Sequence, residues 1–133
     1  MNTGSLEKTL MKTNKLAVYG TLRNGKRDTW KVDGYSLVFP GHRRFPAALP
    51  DENQTGLVVE VMTVDDYDLA SYDIYEGVSS GLYERKIVDV YSDDDNVEAW
   101  MYTIGSALMQ GSGVFEMVPK KDWMSEECLK LRM

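Results

Sequence analysis

The sequence predicts an α+β fold, because strand-like segments outnumber helical ones. Five segments have the apolar or alternating pattern of β-strands and are bounded by Gly, Pro or polar turn residues; they are residues 16–19, 35–39, 56–62, 83–90 and 97–104. Two segments have helical signals, residues 63–77 and 122–132. With 133 residues, of which 43% are hydrophobic, the chain is expected to form one domain with a sizeable core.

The stretch from Leu16 to Gly25 combines the first strand with a tight loop. The strand stops at Gly20, where the missing Cβ allows a sharp turn or the close approach of a ligand to the main chain. Asn24 and Gly25 then end the turn. Such a loop presents free backbone N–H groups that can bind an oxyanion or a carboxylate. A strand followed by a plain hairpin turn explains the same residues, and both interpretations stay open at this point.

The central helix has clear signals at both ends. Thr63 is a good N-cap, two aspartates follow in the first turn, and Gly77 is a typical C-terminal residue. Apolar residues at helical spacing are expected to face the core; they are Tyr67, Ala70 and Ile74.

Glu76 lies at an electrostatically unfavourable position at the end of this helix. The C-terminus of a helix carries the negative end of its dipole, which disfavours a carboxylate there. Violations of this kind are expected at functional sites. A cap or a surface salt bridge is the alternative explanation, since most glutamates are solvated.

The remaining segments have weaker signals. Residues 26–31 are compatible with a short helix or a loop, and residues 116–121 with a short extended piece. Residues 93–96 hold three aspartates, which predict a solvated hairpin turn because the spaced ligands and the Gly of a calcium loop are missing. Residues 1–13 are predicted to be a disordered extension ahead of a single domain spanning residues 14–133.

Composition narrows the possible functions. The formal net charge of −6 argues against binding to the phosphate backbone of nucleic acids. No apolar run is long enough to cross a membrane, and no signal-peptide core is seen near the N-terminus. The single cysteine, Cys128, excludes an internal disulfide and fits a reducing compartment, so a cytoplasmic location is expected.

Common catalytic motifs are missing from the sequence. It has no Walker loop and no dinucleotide fingerprint, and its one histidine, His42, is expected to be structural or on the surface. Cys128 has no base beside it in sequence and is expected to be a buried thiol of the last helix. With one histidine and one cysteine, no zinc site is expected. What remains is the carboxylate of Glu76 and a loop of backbone amides.

Two motifs in this sequence resemble those of a known family. Residues 18–25, Val-Tyr-Gly-Thr-Leu-Arg-Asn-Gly, resemble the opening motif of the γ-glutamylcyclotransferase-like family, which includes γ-glutamylamine cyclotransferases and AIG2-like proteins. Residues 72–77 resemble its second motif, with Tyr72 in place of the usual Leu, and residues 82–85 its following strand start. Residues 99–102 resemble a late strand of the family. The similarity covers about residues 15–105 in order and spacing.

The resemblance implies a small mixed β-barrel with a few packed helices and a cavity at one end. It gives Glu76 the role of general base and acid, and it implies that Tyr19, Gly20, Thr21 and Leu22 hold the glutamyl part of the substrate. Two tyrosines are expected as pocket walls or core aromatics, Tyr83 and Tyr102, and Arg85 is expected to pair with an acid near the barrel rim. The implied reaction releases 5-oxoproline from a small γ-glutamyl compound, without a metal or a cofactor.

Two function classes stay open on the sequence. The first is a γ-glutamyl cyclotransferase, and the second is a non-catalytic module that holds a small metabolite or a protein partner on the same barrel. Departures from the family pattern at Tyr72, at residues 27–30 and after Ser106 favour the second. The two differ in geometry, because the enzyme requires Glu76 to share a pocket with the loop Gly20–Leu22.

Overall fold

The computed structural model describes residues 12–41 and 43–133, in which the strand-like segments form a barrel and a second, smaller sheet. The strands are β1 (Thr13–Val18), β2 (Thr29–Val32), β3 (Tyr35–Pro40), β4 (Ala47–Pro50), β5 (Leu57–Asp65), β6 (Tyr83–Ser92), β7 (Asp95–Ile104) and β8 (Phe115–Met117). The helices are α1 (Asp66–Tyr75), α2 (Ser106–Gly111) and α3 (Glu126–Arg132), with 3₁₀ turns at Val78–Ser80 and Pro119–Lys121. The predicted α+β class is confirmed.

Five strands close into a barrel in the order β1-β5-β2-β6-β7. Neighbouring strands in the barrel are antiparallel, except that β1 and β7 are parallel, with Leu16 opposite Trp100. The longest ladder is the β6–β7 hairpin, which runs from the pair Tyr83–Ile104 to the pair Ser92–Asp95. Its turn contains Asp93 at φ 46°, so the aspartate-rich segment is the predicted hairpin turn. The barrel brings the C-terminal end of β1 beside the start of β6.

The second sheet, in the order β4-β3-β8, shares a core with the barrel. Val59 and Met101 from the barrel belong to the same buried cluster as Phe39 of β3 and Trp123. The rings of Phe39 and Trp123 lie 5.7 Å apart between centroids, a favourable aromatic distance. Cys128 of α3 is fully buried in this cluster, as predicted.

Helix α1 differs from the prediction in its start and in its buried face. Strand β5 continues to Asp65, which is the N-cap and accepts a hydrogen bond of 2.7 Å from the backbone N–H of Asp68, so Thr63 lies in the strand. The helix buries Leu69. The residues that were expected to face the core are exposed instead: Tyr67, Ala70 and Ile74. Both faces carry apolar residues, and the ion pair of Asp73 with Arg85 holds the Leu69 side against the barrel.

The structure differs from the prediction in three further segments. Of the predicted helix or loop at residues 26–31, residues 26–28 form a loop, but the rest belongs to strand β2, in which Trp30 pairs with Val59 of β5. The last helix begins at Glu126 rather than at residue 122, because the hydroxyl of Ser125 caps it by accepting from the N–H of Cys128 at 3.1 Å. Thr13, the last residue of the predicted extension, begins β1. The rest of that extension up to residue 11, and His42, lie outside the described residues.

No helix among the described residues is long and apolar enough to cross a membrane.

Gly105 holds the end of β7 against the loop that precedes β6. Its N–H donates to the carbonyl of Leu82 at 2.8 Å, and a Cβ on Gly105 would overlap the carbonyl oxygen of Gly81. The obstacle is backbone, so no side chain can move aside. We therefore expect Gly105→Ala to lower the free energy of unfolding by about 1–3 kcal/mol or more, measured by urea titration.

The matched control is Gly111→Ala at the end of α2, where a Cβ meets no atom within 4 Å. This variant should be as stable as the parent or slightly more stable, because Ala restricts the unfolded chain. Equal stabilities of the two variants would contradict the packing at Gly105.

Candidate functional site

A cavity of about 360 Å³ opens at the end of β1. The surrounding elements are the loop after β1, the segment before β4, the end of α1 and the start of β6. The structure brings all seven candidate site residues to this cavity: Tyr19, Gly20, Thr21, Leu22, Glu76, Tyr83 and Tyr102. Its size is at the lower end of the range for small-molecule sites.

The loop after β1 is a tight turn, closed by a 3.0 Å hydrogen bond from the N–H of Arg23 to the carbonyl of Gly20. Within residues 12–41 and 43–133, the backbone N–H groups of Thr21 and Leu22 have no acceptor. Gly20 is needed for close packing, since a Cβ there would lie 2.8 Å from Cγ of Pro46. The loop therefore has two main-chain donors without an acceptor among the described residues, and its start is packed against Pro46.

A buried carboxylate, Glu60 of β5, anchors the far end of this loop. It accepts hydrogen bonds from the backbone N–H groups of Asn24 and Gly25, both at 3.1 Å. It also pairs with the guanidinium groups of Arg23 at 2.8 Å and Arg27 at 3.0 Å. The Glu60 side chain is fully buried, yet both carboxylate oxygens are satisfied by donors.

The charge of Glu60 is stabilised by these donors. Burial alone raises the pKa of the carboxyl, but the hydrogen bonds from Arg23 and from the two loop amides outweigh it, so the pKa falls below its usual value. Arg23 in turn donates to Asp122 at 2.7 Å, which ties the loop to the C-terminal segment. Sequence reasoning missed Glu60. The available signal was one acid inside the most apolar predicted strand, a position where a charge requires partners.

Glu76 faces the cavity from the end of α1. It is the C-cap of the helix, and its N–H donates to the carbonyl of Tyr72 at 2.8 Å. Gly77 follows at φ 65° and turns the chain away, which confirms it as the residue that ends the helix. The side chain of Glu76 is half-buried, and burial raises the pKa of its carboxyl to about 7. No described residue forms an ion pair or a hydrogen bond with this carboxylate.

The last turns of α1 are fixed to the barrel through Asp73. Its carboxylate accepts from the hydroxyl of Tyr102 at 2.7 Å and from Nε of Arg85 at 2.8 Å. The guanidinium of Arg85 also lies 4.2 Å above the ring centre of Trp100. Arg85 thus pairs with an acid, as predicted. Asp73 is three residues before Glu76, so this network fixes the helix turn from which the Glu76 side chain extends.

Three tyrosines form rigid walls around the cavity. The hydroxyl of Tyr19 donates to the carbonyl of Tyr102 at 2.6 Å, and that of Tyr83 donates to the carbonyl of Pro46 at 2.8 Å. Burial raises the pKa of Tyr19, Tyr83 and Tyr102. Each is both a core aromatic and a pocket wall. Because their hydroxyls are engaged and protonated, Glu76 is the acid–base candidate near neutral pH.

The arrangement combines a proton acceptor, main-chain donors and apolar walls. A ligand that carries both an ammonium group and a carboxylate or developing oxyanion matches these features. In the part of the chain that the structure describes, no three His, Cys, Asp or Glu side chains are grouped so that they could hold a metal ion.

Comparisons with known proteins point to one family. The family model described as "Gamma-glutamyl cyclotransferase, AIG2-like" matches residues 16–125. The search of curated proteins found no match.

Several solved structures have a fold similar to that of this chain. An AIG2-like protein from Mus musculus is 23% identical, with a TM-score of 0.57, over 68% of this chain and 76% of that one. A structure titled gamma-glutamyl cyclotransferase is 16% identical, with a TM-score of 0.61, over 81% and 73%. A uropathogenic E. coli-specific protein is 17% identical, with a TM-score of 0.63, over 85% and 94%. At these identities the structural matches show the shared fold.

Replacing Glu60 tests the anchor of the loop. We expect Glu60→Gln to lower the free energy of unfolding by about 3 kcal/mol at pH 7, because the buried guanidinium of Arg23 then keeps only Asp122 as a counter-charge among the described residues and one carboxylate oxygen is replaced by a donor. The lowered pKa of Glu60 gives stability that is lost as the pH falls below about 4.5. The difference between parent and variant should therefore shrink in acid. Urea titrations at two pH values measure both effects.

The control is Glu116→Gln, which removes an exposed ion pair with Arg43. It should leave stability nearly unchanged. If Glu60→Gln behaves like this control, the buried network does not anchor the loop.

Proposed function

Because the chain belongs to the AIG2-like γ-glutamyl cyclotransferase family, we propose that it releases 5-oxoproline from a small γ-glutamyl amide or amine. The observation that carries the proposal is the shared cavity, in which the half-buried carboxylate of Glu76 lies with the donor loop Gly20–Leu22. The cavity volume suits a small substrate.

The reaction needs few groups because the substrate contains its own nucleophile. The α-amine attacks the side-chain carbonyl carbon, and a new C–N bond closes a five-membered ring. The tetrahedral intermediate collapses, the original amide C–N bond breaks, and the amine leaves. Since the attack is intramolecular, the protein contributes mainly by holding the substrate in an attacking conformer. Neither a metal nor a redox cofactor is required by this chemistry.

Glu76 is the proposed general base and acid. The α-amine has a reference pKa of about 8 and is mostly protonated at neutral pH, so a base must remove a proton before attack. A carboxyl with a pKa of about 7 is suited to taking that proton and returning it to the departing nitrogen. None of the described residues forms an ion pair with Glu76, which supports this role, since a permanent ion pair would hold the pKa low.

The loop is proposed to bind the negative charges of the substrate and of the intermediate. The N–H groups of Thr21 and Leu22 are candidates to receive the glutamyl α-carboxylate or the tetrahedral oxyanion. Their side chains are not required for this, so the function depends on backbone position. The Glu60 anchor supports the proposal by restraining the loop at Asn24 and Gly25.

Two of the departures from the family pattern are accommodated in this fold. Tyr72 is half-buried and packs against the cluster that contains Leu69 and Tyr102, so an apolar contact is kept at this position. In the atypical segment, Arg27 pairs with Glu60, and Trp30 packs against the barrel core. A non-catalytic binding module therefore becomes an outcome of the test rather than a second proposal.

Glu76→Gln tests catalysis separately from folding. We expect the rate of 5-oxoproline release to fall by a factor of about 10²–10⁴, since Gln cannot accept the ammonium proton. The raised pKa means that the folded protein binds more protons than the unfolded chain between pH 4.5 and about 7, so stability falls as the pH rises through that window. At pH 8 the variant should melt at the same temperature as the parent or higher.

The control is Glu84→Gln on the outer face of β6, which changes the same charge away from the cavity and should retain activity. The measurements are a 5-oxoproline assay over a panel of γ-glutamyl compounds, a ligand titration and a thermal melt. Binding without turnover in the parent would favour the non-catalytic module. A large loss of stability with unchanged turnover in Glu76→Gln would refute the proposed base.

A further inference from the structure

The described residues that line the cavity include one positively charged side chain, Arg44, and one negatively charged side chain, Glu76. Arg44 is exposed, whereas Glu76 is half-buried, so the cation lies toward the mouth and the carboxylate farther inside. The cavity therefore has a charge gradient that a ligand with separated charges can match.

The two residues that follow Arg44 are held in place by contacts with other parts of the cavity wall. The carbonyl of Pro46 accepts from the hydroxyl of Tyr83 at 2.8 Å, and Pro46 packs closely against Gly20. The ring of Phe45 lies 6.3 Å from that of Tyr83 between centroids. These three contacts, two with Tyr83 and one with Gly20, hold Phe45 and Pro46 at the cavity wall. Arg44 directly precedes them in the chain.

The geometry of the proposed reaction assigns the two ends of the substrate. The glutamyl part must lie inside, because its α-ammonium has to reach Glu76, and its α-carboxylate or the oxyanion has to reach the loop amides. The leaving amine is attached at the other end of the glutamyl side chain and departs toward solvent. An exposed charge at the mouth is therefore best placed to contact the leaving group.

We propose that Arg44 binds a carboxylate on the leaving group and makes the site selective for γ-glutamyl amino acids over uncharged γ-glutamylamines. The inference rests on the proposed function and adds the substrate class. A guanidinium offers five N–H donors in a planar fork, enough for a bidentate carboxylate in addition to a contact within the protein. The same carboxylate would be repelled by Glu76, which further favours its binding at the mouth.

A matched pair of substrates tests this directly. γ-Glutamylalanine and γ-glutamylethylamide differ by the carboxylate of the leaving group alone. We expect Arg44→Gln to lower kcat/KM for γ-glutamylalanine by about tenfold, mainly through KM, and to leave γ-glutamylethylamide within about twofold. The control is Arg43→Gln, because Arg43 pairs with Glu116 and does not line the cavity. That variant should treat both substrates like the parent.

Other outcomes would overturn the inference. Equal losses on both substrates would mean that Arg44 binds the glutamyl α-carboxylate instead, and no loss on either would mean that it binds no carboxylate. If the parent releases no 5-oxoproline from either compound, the proposed function fails, and calorimetric titration of the same two compounds still tests Arg44. Tighter binding of γ-glutamylalanine that disappears in Arg44→Gln would then support it, and equal binding would overturn it.

Discussion

The buried carboxylate of Glu60 is the constraint on which the site depends. A charge in the middle of the most apolar strand is tolerated only because two guanidinium groups and two backbone amides surround it. Two of these donors are the N–H groups of Asn24 and Gly25, so satisfying Glu60 requires the loop after β1 to adopt one conformation. The cavity wall thereby takes its shape from the barrel interior, and main-chain donors become usable for recognition without further ordering.

The end of α1, which forms another wall of the cavity, depends on a second polar network. This network gives two carboxylates different surroundings. Asp73 is neutralised by Arg85 and hydrogen-bonded to Tyr102, whereas Glu76, at the end of the same helix, has neither kind of partner among the described residues. Asp73 is therefore held in a network of donors, whereas Glu76 remains able to change its protonation near neutral pH. Two acids three residues apart in one helix differ in chemistry because of their surroundings.

Much of this arrangement could be predicted from the sequence, and the exceptions have physical causes. The five longer strands were recognisable because their apolar patterns are local, and Glu76 stood out because it opposes the helix dipole. The short strands β2 and β4 were not predicted. The buried face of α1 could not be chosen, since both faces carry apolar residues and the choice depends on Arg85, 12 positions beyond Asp73. The role of Glu60 was equally hidden, because Arg23 is separated from it by 37 residues. Long-range pairing is not encoded in local periodicity.

The central claim is that burial in a shared cavity, without an ion pair to any cation of residues 12–41 and 43–133, prepares Glu76 for proton transfer. The most direct measurement is an NMR titration of the side-chain carboxyl carbon of Glu76 in ¹³C-glutamate-labelled protein, with Glu76→Gln used to assign the signal. The account predicts a midpoint at a pH of about 7. A midpoint at the ordinary glutamate value of 4.5 would contradict it, because the carboxyl would then be solvated or paired rather than held in the cavity.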